Sequence, residues 1–349
     1  MTVRAVVLLS GGLDSMLAVR ILQLQGVEVE ALNFRTLFVC CQDTAAQAAR
    51  ELGVRLSVVS EHDDYLELIR RPKYGYGRGA NPCVDCRIYM FALAEKWMRR
   101  TGTDLVASGE VVGQRPMSQK KRDLARIARH SGLEDRLLRP LSAKLLPPTW
   151  PEREGLVDRD ALYDFSGRGR KGLIALAHEL GLKRIPHPST GCALTEPQFA
   201  AKVHDLVQLD PHGTRWDFEL LKVGRHVRLD AATKVIVGRR EEENQRLRRR
   251  FEEREADCLE REIGCAERGV GGAGGAGGAA LLEPDNFVGP TALLIGSTGD
   301  QALRFASGLI LRYAKQVGSD PPRAIVTQQG ARRAMALYSD STAATAVSL

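Results

Sequence analysis

Residues 3–9 form an apolar, β-branched run that leads without a break into Ser10-Gly11-Gly12-Leu13-Asp14-Ser15. Residues 15–25 then repeat apolar side chains at helical spacing and stop at Gly26. A strand that passes through two glycines into the first turn of a helix restricts both the fold and the ligand. The glycines let the backbone approach an anion closely, and the helix start offers unpaired N–H groups and a favourable dipole. Ser10 and Ser15 add hydroxyl groups. Asp14 is out of place in a plain anion cradle, because a carboxylate repels phosphate; a bridging Mg2+ removes the conflict. The plainer alternative is a strand–turn–helix whose glycines serve only the turn.

The same alternation continues downstream. Strands are expected over 27–34, 54–59 and 104–108, and helices over 44–52 and 88–100, the first of them ended by Gly53. This rhythm predicts an α/β fold with a doubly wound parallel sheet and helices on both faces. Residues 110–190 are richer in loops, prolines and basic side chains, with a helix expected over 172–180 before Gly181. From about residue 210 the pattern changes to short strands over 218–221, 227–229 and 235–237. A charged helix over 241–262 follows, then a Gly/Ala tract at 269–280 that reads as a linker, a strand over 287–296 and a helix over 301–315. The tail from Ser339 is small and polar and is expected to be disordered. With 349 residues, two domains are expected: 1–205, and a smaller α+β domain over 206–340.

Charge and cysteine usage narrow the partners. The formal net charge of +7 suits an anionic partner such as RNA, although clusters such as Lys120-Lys121-Arg122 also occur on solvated faces. No apolar stretch reaches the roughly 18 residues that would span a bilayer, and the opening run lacks a basic segment and cleavage site. A cytoplasmic protein with no membrane partner is expected. Seven cysteines, an odd number, argue against a disulfide framework and toward metal or sulfur chemistry. Cys83 and Cys86 lie three residues apart before a helix, in Asn81-Pro82-Cys83-Val84-Asp85-Cys86, and Cys192 lies far downstream. Helix N-termini acidify thiols. Three thiolates can hold a 4Fe–4S cluster, or carry a persulfide and a resolving cysteine; with His187 as fourth ligand they can hold zinc. Cys40 and Cys41 read as packing near the site, and Cys258 and Cys265 as incidental.

The loop 10–15 resembles the SGGxDS loop of the PP-loop ATP pyrophosphatases, whose fold is adenine nucleotide alpha hydrolase-like. The resemblance implies ATP cleaved between its α and β phosphates and an adenylated substrate oxygen. The Asn-Pro-Cys…Cys segment, with Ile88, Met90 and Phe91 behind it, resembles the tRNA 2-thiouridylases and 4-thiouridine synthetases. Gly191-Cys192 resembles the third cysteine site of cluster-dependent members. Carried over, these imply Asp14, Cys83, Cys86 and Cys192 as catalytic residues, with the three thiols as ligands of a 4Fe–4S cluster, zinc remaining open. Ser10, Gly11, Gly12, Asp14, Ser15, Asn33, Phe34, Ser108, Gly109 and Glu110 are expected to bind Mg-ATP, since strand C-termini carry the ligand in such folds. Arg115, Arg168, Arg170 and Lys171 are expected to contact RNA.

Residues 221–244 resemble the RNA-binding domain of the NFACT proteins. Two Lys/Arg-rich strands would form a basic sheet face with His226 between them, adding Lys222 and Arg225 to the RNA contacts. The whole reads as an ATP-dependent tRNA sulfurtransferase that replaces a uridine oxygen with sulfur taken from sulfide or a persulfide-carrying protein; a homodimer is compatible with it. The rivals are a PP-loop ligase or amidotransferase acting on a small molecule, which would not need the three cysteines, and a non-catalytic RNA-binding factor.

Overall fold

In the computed structural model, which describes residues 2–39, 43–188, 191–268, 278–315 and 319–349, the chain divides into two compact units, Met1–Glu196 and Pro197–Leu349. The first begins with β1 (Arg4–Leu8), α1 (Leu13–Leu24), β2 (Glu28–Arg35), α2 (Asp43–Leu52), β3 (Arg55–Ser60) and α3 (Asp64–Arg70). It continues through α4 (Cys83–Thr101), β4 (Leu105–Ser108), α5 (Lys121–His130), the short β5 (Leu137–Leu138), α6 (Trp150–Arg153) and α7 (Lys171–Glu179). The five strands pair in parallel in the order β3-β2-β1-β4-β5.

The strand pleat accounts for the layers. Ala5 and Val7 of β1 and Ala31 of β2 point to the face covered by α1, α2 and α7. Val6, Leu8, Leu32 and Val106 point to the other face, where Phe91, Ala94 and Met98 of α4 and Ile127 of α5 pack. Both faces are therefore dry, which is why the strands read as continuous apolar runs. The chain reverses its winding direction between β1 and β4, so the crevice beyond their C-terminal ends is where a ligand fits.

The second unit opens with α8 (Pro197–Leu209), ahead of the boundary expected from sequence. This helix belongs there because Lys202 donates to the Gly224 carbonyl at 3.0 Å and Arg228 grips the Asp205 carboxylate. Next come α9 (Arg215–Leu220), β6 (Arg225–Arg228), β7 (Lys234–Val237), α10 (Glu241–Arg268), β8 (Gly278–Pro284), β9 (Ala292–Gly296), α11 (Asp300–Tyr313), β10 (Arg323–Gln328), β11 (Ala331–Ala336) and α12 (Ser341–Thr345). The strands form one antiparallel sheet in the order β11-β10-β8-β9-β7-β6. Phe305, Leu309 and Ile310 of α11 cover one face; Leu220, Leu247 and Phe251 of α9 and α10 cover part of the other.

Several expectations for this unit are corrected. Residues 218–221 are helical rather than extended, because Thr214 and Asp217 form a capping box, with the Thr214 amide donating to the Asp217 carboxylate at 2.7 Å. The end of the Gly/Ala tract is strand: Ala279 and Ala280 are buried members of β8, while 269–277 lie outside the described residues. The basic sheet face does not form. His226 is fully buried, its Nε2 donating to the Leu220 and Val223 carbonyls, and burial pushes its pKa well below the usual value. Lys234 is buried as well.

The tail is ordered rather than disordered. Asp340 caps α12 by accepting from the Ala343 amide at 2.7 Å, and Arg312 donates to the Ala343 and Ala346 carbonyls. The closeness of α12 to α11 depends on Gly308, where a Cβ would come within 2.6 Å of Asp340 Cβ and 2.7 Å of Ala343 Cβ. Asp340→Ala is expected to cost about 1 kcal/mol in urea unfolding. Gly308→Leu is expected to detach the tail outright, read as cleavage within 339–349 by limited proteolysis.

Candidate active site

The C-terminal ends of β1, β2 and β4 line one cleft, with Ser10, Asp14, Ser15, Asn33, Phe34, Ser108, Gly109 and Glu110 in its wall. All but Gly11 and Gly12 of the residues expected to bind nucleotide are in that wall. The loop after β1 is held in shape internally. Ser15 Oγ donates to the Gly12 carbonyl at 2.8 Å, and the Ser10 amide donates to Ser15 Oγ at 3.3 Å. Gly11 has φ +81° and lies so close to Thr44 that a Cβ would meet its carbonyl carbon at 2.4 Å. Gly109 is tighter still, since a Cβ there would meet the Asp14 carbonyl group at 2.3 Å. Both glycines are therefore required by close backbone approach.

Asp14 faces this cleft from the first turn of α1. Gln114 Nε2 donates to its Oδ2 at 2.9 Å. Burial raises the Asp14 pKa, against the hydrogen bond from Gln114 and the positive charges of Arg170 and Arg115. Arg170, expected on an RNA-facing turn, thus lies within electrostatic reach of Asp14, and it also donates to the Pro186 carbonyl. Its turn is fixed against the loop after β4, where Gly167 donates to the Val112 carbonyl at 2.8 Å. Arg168 and Lys171 are exposed there, and so are Arg115 on the cleft and Lys222 in the second unit. Arg225 is half-buried, its guanidinium 4.6 Å from the Tyr313 ring centroid.

Asn33 donates from Nδ2 to the Leu9 carbonyl at 2.8 Å, tying the ends of β2 and β1 together. Glu110 is only 3% exposed and is engaged by a partner the sequence did not suggest: Arg139, also buried, donates from Nε to its Oε2 at 2.9 Å. Arg87 Nε lies 3.7 Å from the other carboxylate oxygen. Two buried acceptors at the cleft, Glu110 Oε1 and Gln119 Oε1, have no hydrogen-bond partner. Gln114 and Gln119, on the loop 113–119 whose amides suit phosphates or base edges, also line the cleft, with Met90 of the cysteine helix. Arg87, on the same helix, is the lining residue with no sequence signal of its own.

The thiols gather around one aromatic side chain. Tyr65, 1% exposed, has its hydroxyl 3.2 Å from Cys86 Sγ, and its pKa is raised by burial first and then by both Cys86 and Cys192. Asn81 Nδ2 donates to Cys83 Sγ at 3.0 Å, and Cys192 Sγ lies 3.6 Å from the Phe38 carbonyl oxygen. Phe34, Phe38 and Tyr89 surround the Tyr65 ring at centroid distances of 5.3–6.4 Å. The acidification expected for thiols at a helix start does not extend to Cys86, whose pKa is raised because burial outweighs the Tyr65 hydrogen bond and the Arg87 charge. Each sulfur is turned to a different protein group. Among the described residues no group of three or more His, Cys, Asp or Glu side chains is placed to hold a metal ion, and His187 is exposed. The thiols so arranged do not fit a cluster or a zinc ion. Cys40 and Cys41 lie outside the described residues, and Cys258 is exposed on α10.

Residues 3–131 match the family model described as tRNA methyl transferase HUP domain. That stretch runs from β1 through α5 of the first unit. The chain is 32% identical over 133 residues to the tRNA-specific 2-thiouridylase of Thermus thermophilus, covering 31% of this chain and 36% of that one. It is 33% identical over 110 residues to a tRNA-specific 2-thiouridylase of Bacteroides fragilis, covering 30% of each. The chain thus spans about a third of the length of the curated relatives it matches. Among solved structures it is similar to a predicted subunit of tRNA methyltransferase from Methanocaldococcus jannaschii, with TM-score 0.35, 17% identity and coverage of 51% of this chain and 76% of that one. It is similar also to a 4-thiouridine synthetase in complex with RNA and bound ATP, with TM-score 0.38, 22% identity and coverage of 62% and 53%. No helix among the described residues is long and apolar enough to cross a membrane.

The buried Asp14 carboxyl carries a stability consequence. Its folded pKa lies above the ordinary value, so the folded state holds more proton than the unfolded one. Its contribution is then intact at low pH and is lost as pH rises through the interval between the two values. Asp14→Asn is expected to be more stable than the parent protein at pH 7, with the gain vanishing below the ordinary carboxylate range; thermal unfolding from pH 3.5 to 7.5 checks this.

Proposed function

We propose that the protein is an ATP-dependent tRNA sulfurtransferase, which adenylates a uridine oxygen and replaces it with sulfur. The observation that carries the reading is the position of helix α4. One turn of it bears Cys83 and Cys86, and the next bears Arg87 and Met90, which line the glycine-walled cleft. A phosphate-type cleft and a set of thiols thus share one helix, as a reaction needing both activation and sulfur delivery requires. The likeness of about the first third of the chain to tRNA-specific 2-thiouridylases supports the same reading.

ATP fits the cleft on this chain's own features. Gly12 leaves the start of α1 open to phosphate oxygens, since a Cβ there would meet only Ser10 Oγ, at 3.5 Å. Gln119 Oε1, which has no hydrogen-bond partner, and Glu110 Oε1, which has only the Arg87 charge at 3.7 Å, are acceptors suited to a donor on the ligand. Asp14, aided by Glu110, would hold Mg2+, which supplies charge neutralisation between the phosphates. The uridine oxygen attacks the α-phosphorus, the α–β bridging P–O bond breaks, and pyrophosphate leaves. Arg115, Arg87 and Arg170 are the cations available to the charge that develops there. A sulfur nucleophile then attacks the activated ring carbon, and AMP departs with the former uridine oxygen.

Sulfide can act directly. A persulfide on one of Cys83, Cys86 or Cys192 can act through its terminal sulfur, a second thiolate breaking the S–S bond and leaving a disulfide. Asn33 and Phe34 lie where the base of the nucleotide would rest, and Ser10, Gly12, Ser15 and Ser108 complete the phosphate loop. Arg168 and Lys171 are the RNA contacts proposed beside it. Lys222 and Arg225 are those proposed on the second unit.

Nucleoside mass spectrometry of unmodified tRNA incubated with the protein, Mg-ATP and sulfide is expected to show thiouridine. Asp14→Ala is expected to lower both thiouridine and pyrophosphate release by at least about a hundredfold. Cys192→Ser is expected to remove thiouridine formed from a persulfide donor while pyrophosphate release persists. Unchanged thiouridine formation in either variant would overturn the reading; pyrophosphate release without thiouridine from the parent protein would point instead to a ligase, and neither product to a binding factor.

A further inference from the structure

Between α3 and α4 the chain reads Arg71-Pro72-Lys73-Tyr74-Gly75-Tyr76-Gly77-Arg78-Gly79, a basic and aromatic segment with no part in the reaction described above. So glycine-rich a loop would ordinarily be poorly fixed, yet buried groups at the start of the cysteine helix tie it down. The Asp85 carboxylate accepts from the Lys73 amide at 3.1 Å through one oxygen and from the Tyr74 amide at 3.0 Å through the other. Asn81 accepts from the Gly79 amide at 3.0 Å through Oδ1 and from the Gly77 amide at 2.8 Å through its own carbonyl. Tyr76 donates its hydroxyl to the Ile69 carbonyl at 2.6 Å. Asp85 and Asn81 are both buried, so the segment is fixed before any partner arrives.

What this frame holds outward is positive charge. Arg126 of α5 lies 4.6 Å from the Tyr74 ring centroid, Lys73 Nζ 5.5 Å, and the His130 ring 6.0 Å. Arg126 also has a carboxylate partner in Asp123, as Arg71 has in Glu67. Lys73 and Arg78 are exposed and, among the described residues, have no ion pair with a carboxylate. Holding like charges together without counterions is unfavourable unless a polyanion supplies them. The segment has no large exposed apolar side chain to insert into a lipid surface, and a partly exposed tyrosine among guanidinium groups suits nucleobases.

We propose that the segment 71–79, together with Arg126 and His130 of α5, is a docking surface for the phosphate backbone of an RNA chain, with Lys73 and Arg78 as its phosphate contacts and Tyr74 as a stacking group. The surface adjoins the thiols through one side chain: Asn81, which holds Gly79 in place, also donates to Cys83 Sγ at 3.0 Å. A backbone held there would present a nucleotide of the strand to the cysteine end of α4. This deepens the sulfurtransferase reading and rests on it for the identity of the RNA.

The test is the affinity of the full-length protein for a mixture of unmodified tRNA transcripts, by fluorescence anisotropy across a salt series, with Lys73→Ala/Arg78→Ala compared against Lys222→Ala/Arg225→Ala. The first double variant is expected to bind about tenfold more weakly at low salt, and its plot of log K against log salt to flatten by roughly 1.5, as for two lost phosphate contacts. Tyr74→Ala is expected to weaken binding and Tyr74→Phe, which keeps the ring that packs against the core, to restore it, with thermal midpoints unchanged for Lys73→Ala/Arg78→Ala and Tyr74→Phe. Unchanged affinity and slope in Lys73→Ala/Arg78→Ala would overturn the proposal. So would a loss confined to the second-unit variant, or equal competition by polyglutamate or by phosphatidylserine vesicles. A protein that binds RNA through this segment yet forms no thiouridine would sink the sulfurtransferase reading and leave the docking surface standing.

Discussion

The first unit is organised by one close contact, the backbone of Gly109 against the Asp14 carbonyl, where even a methyl group would intrude to 2.3 Å. It joins the end of β4 to the first turn of α1, and so fixes how far apart the two sides of the cleft can lie. Everything lining the cleft depends on that spacing. Asp14 comes within reach of Gln114 only because the loop after β4 is drawn in over it, and the Arg170 turn leans on the same loop through Val112. Packed backbone of this kind is stiff, since nothing rotatable separates the two segments, so the cleft keeps its shape without a ligand.

The buried Glu110–Arg139 pair does a related job one layer deeper. Removing two opposite charges from water is costly, and it is tolerated where hydrogen bonds satisfy both groups. Arg139 meets that condition with Glu110 Oε2 and the Leu124 carbonyl. Glu110 meets it only in part, leaving Oε1 facing the cleft with Arg87 at 3.7 Å. The pair therefore anchors the cleft floor while leaving one acceptor unused.

The parts of this architecture that were legible in the sequence are those with local signatures. β1, the glycine loop and α1 are encoded by an apolar run, two glycines and helical spacing within about twenty residues, and a parallel sheet follows from their repetition. The Asn81-Pro82-Cys83 segment announced a helix start with thiols on it. What was not legible came from pairings distant in sequence. Arg139 meets Glu110 across 29 residues, and Gln114 meets Asp14 across 100; neither residue carries a pattern of its own. The second unit misled for a different reason. His226 and Lys234 look like a solvated basic face, but α8 and α9 cover that side of the sheet, and the imidazole Nε2 is turned inward to the Leu220 and Val223 carbonyls. Residues 218–221 were read as strand from apolar content alone, where Thr214 and Asp217 decide for helix. The tail looked featureless because its order is supplied by Ser307, Gly308 and Arg312 on another helix.

The arrangement at Cys86 bears on the chemical durability of the protein. A sulfur packed beside Tyr65 and Met90, with its pKa raised by burial, is almost wholly in the thiol form at neutral pH. Thiols react with peroxide and electrophiles far more slowly than thiolates do. In this conformation Cys86 is held in its less reactive thiol form, and displacing the tyrosine or bringing positive charge nearer would favour the thiolate and its reactivity together.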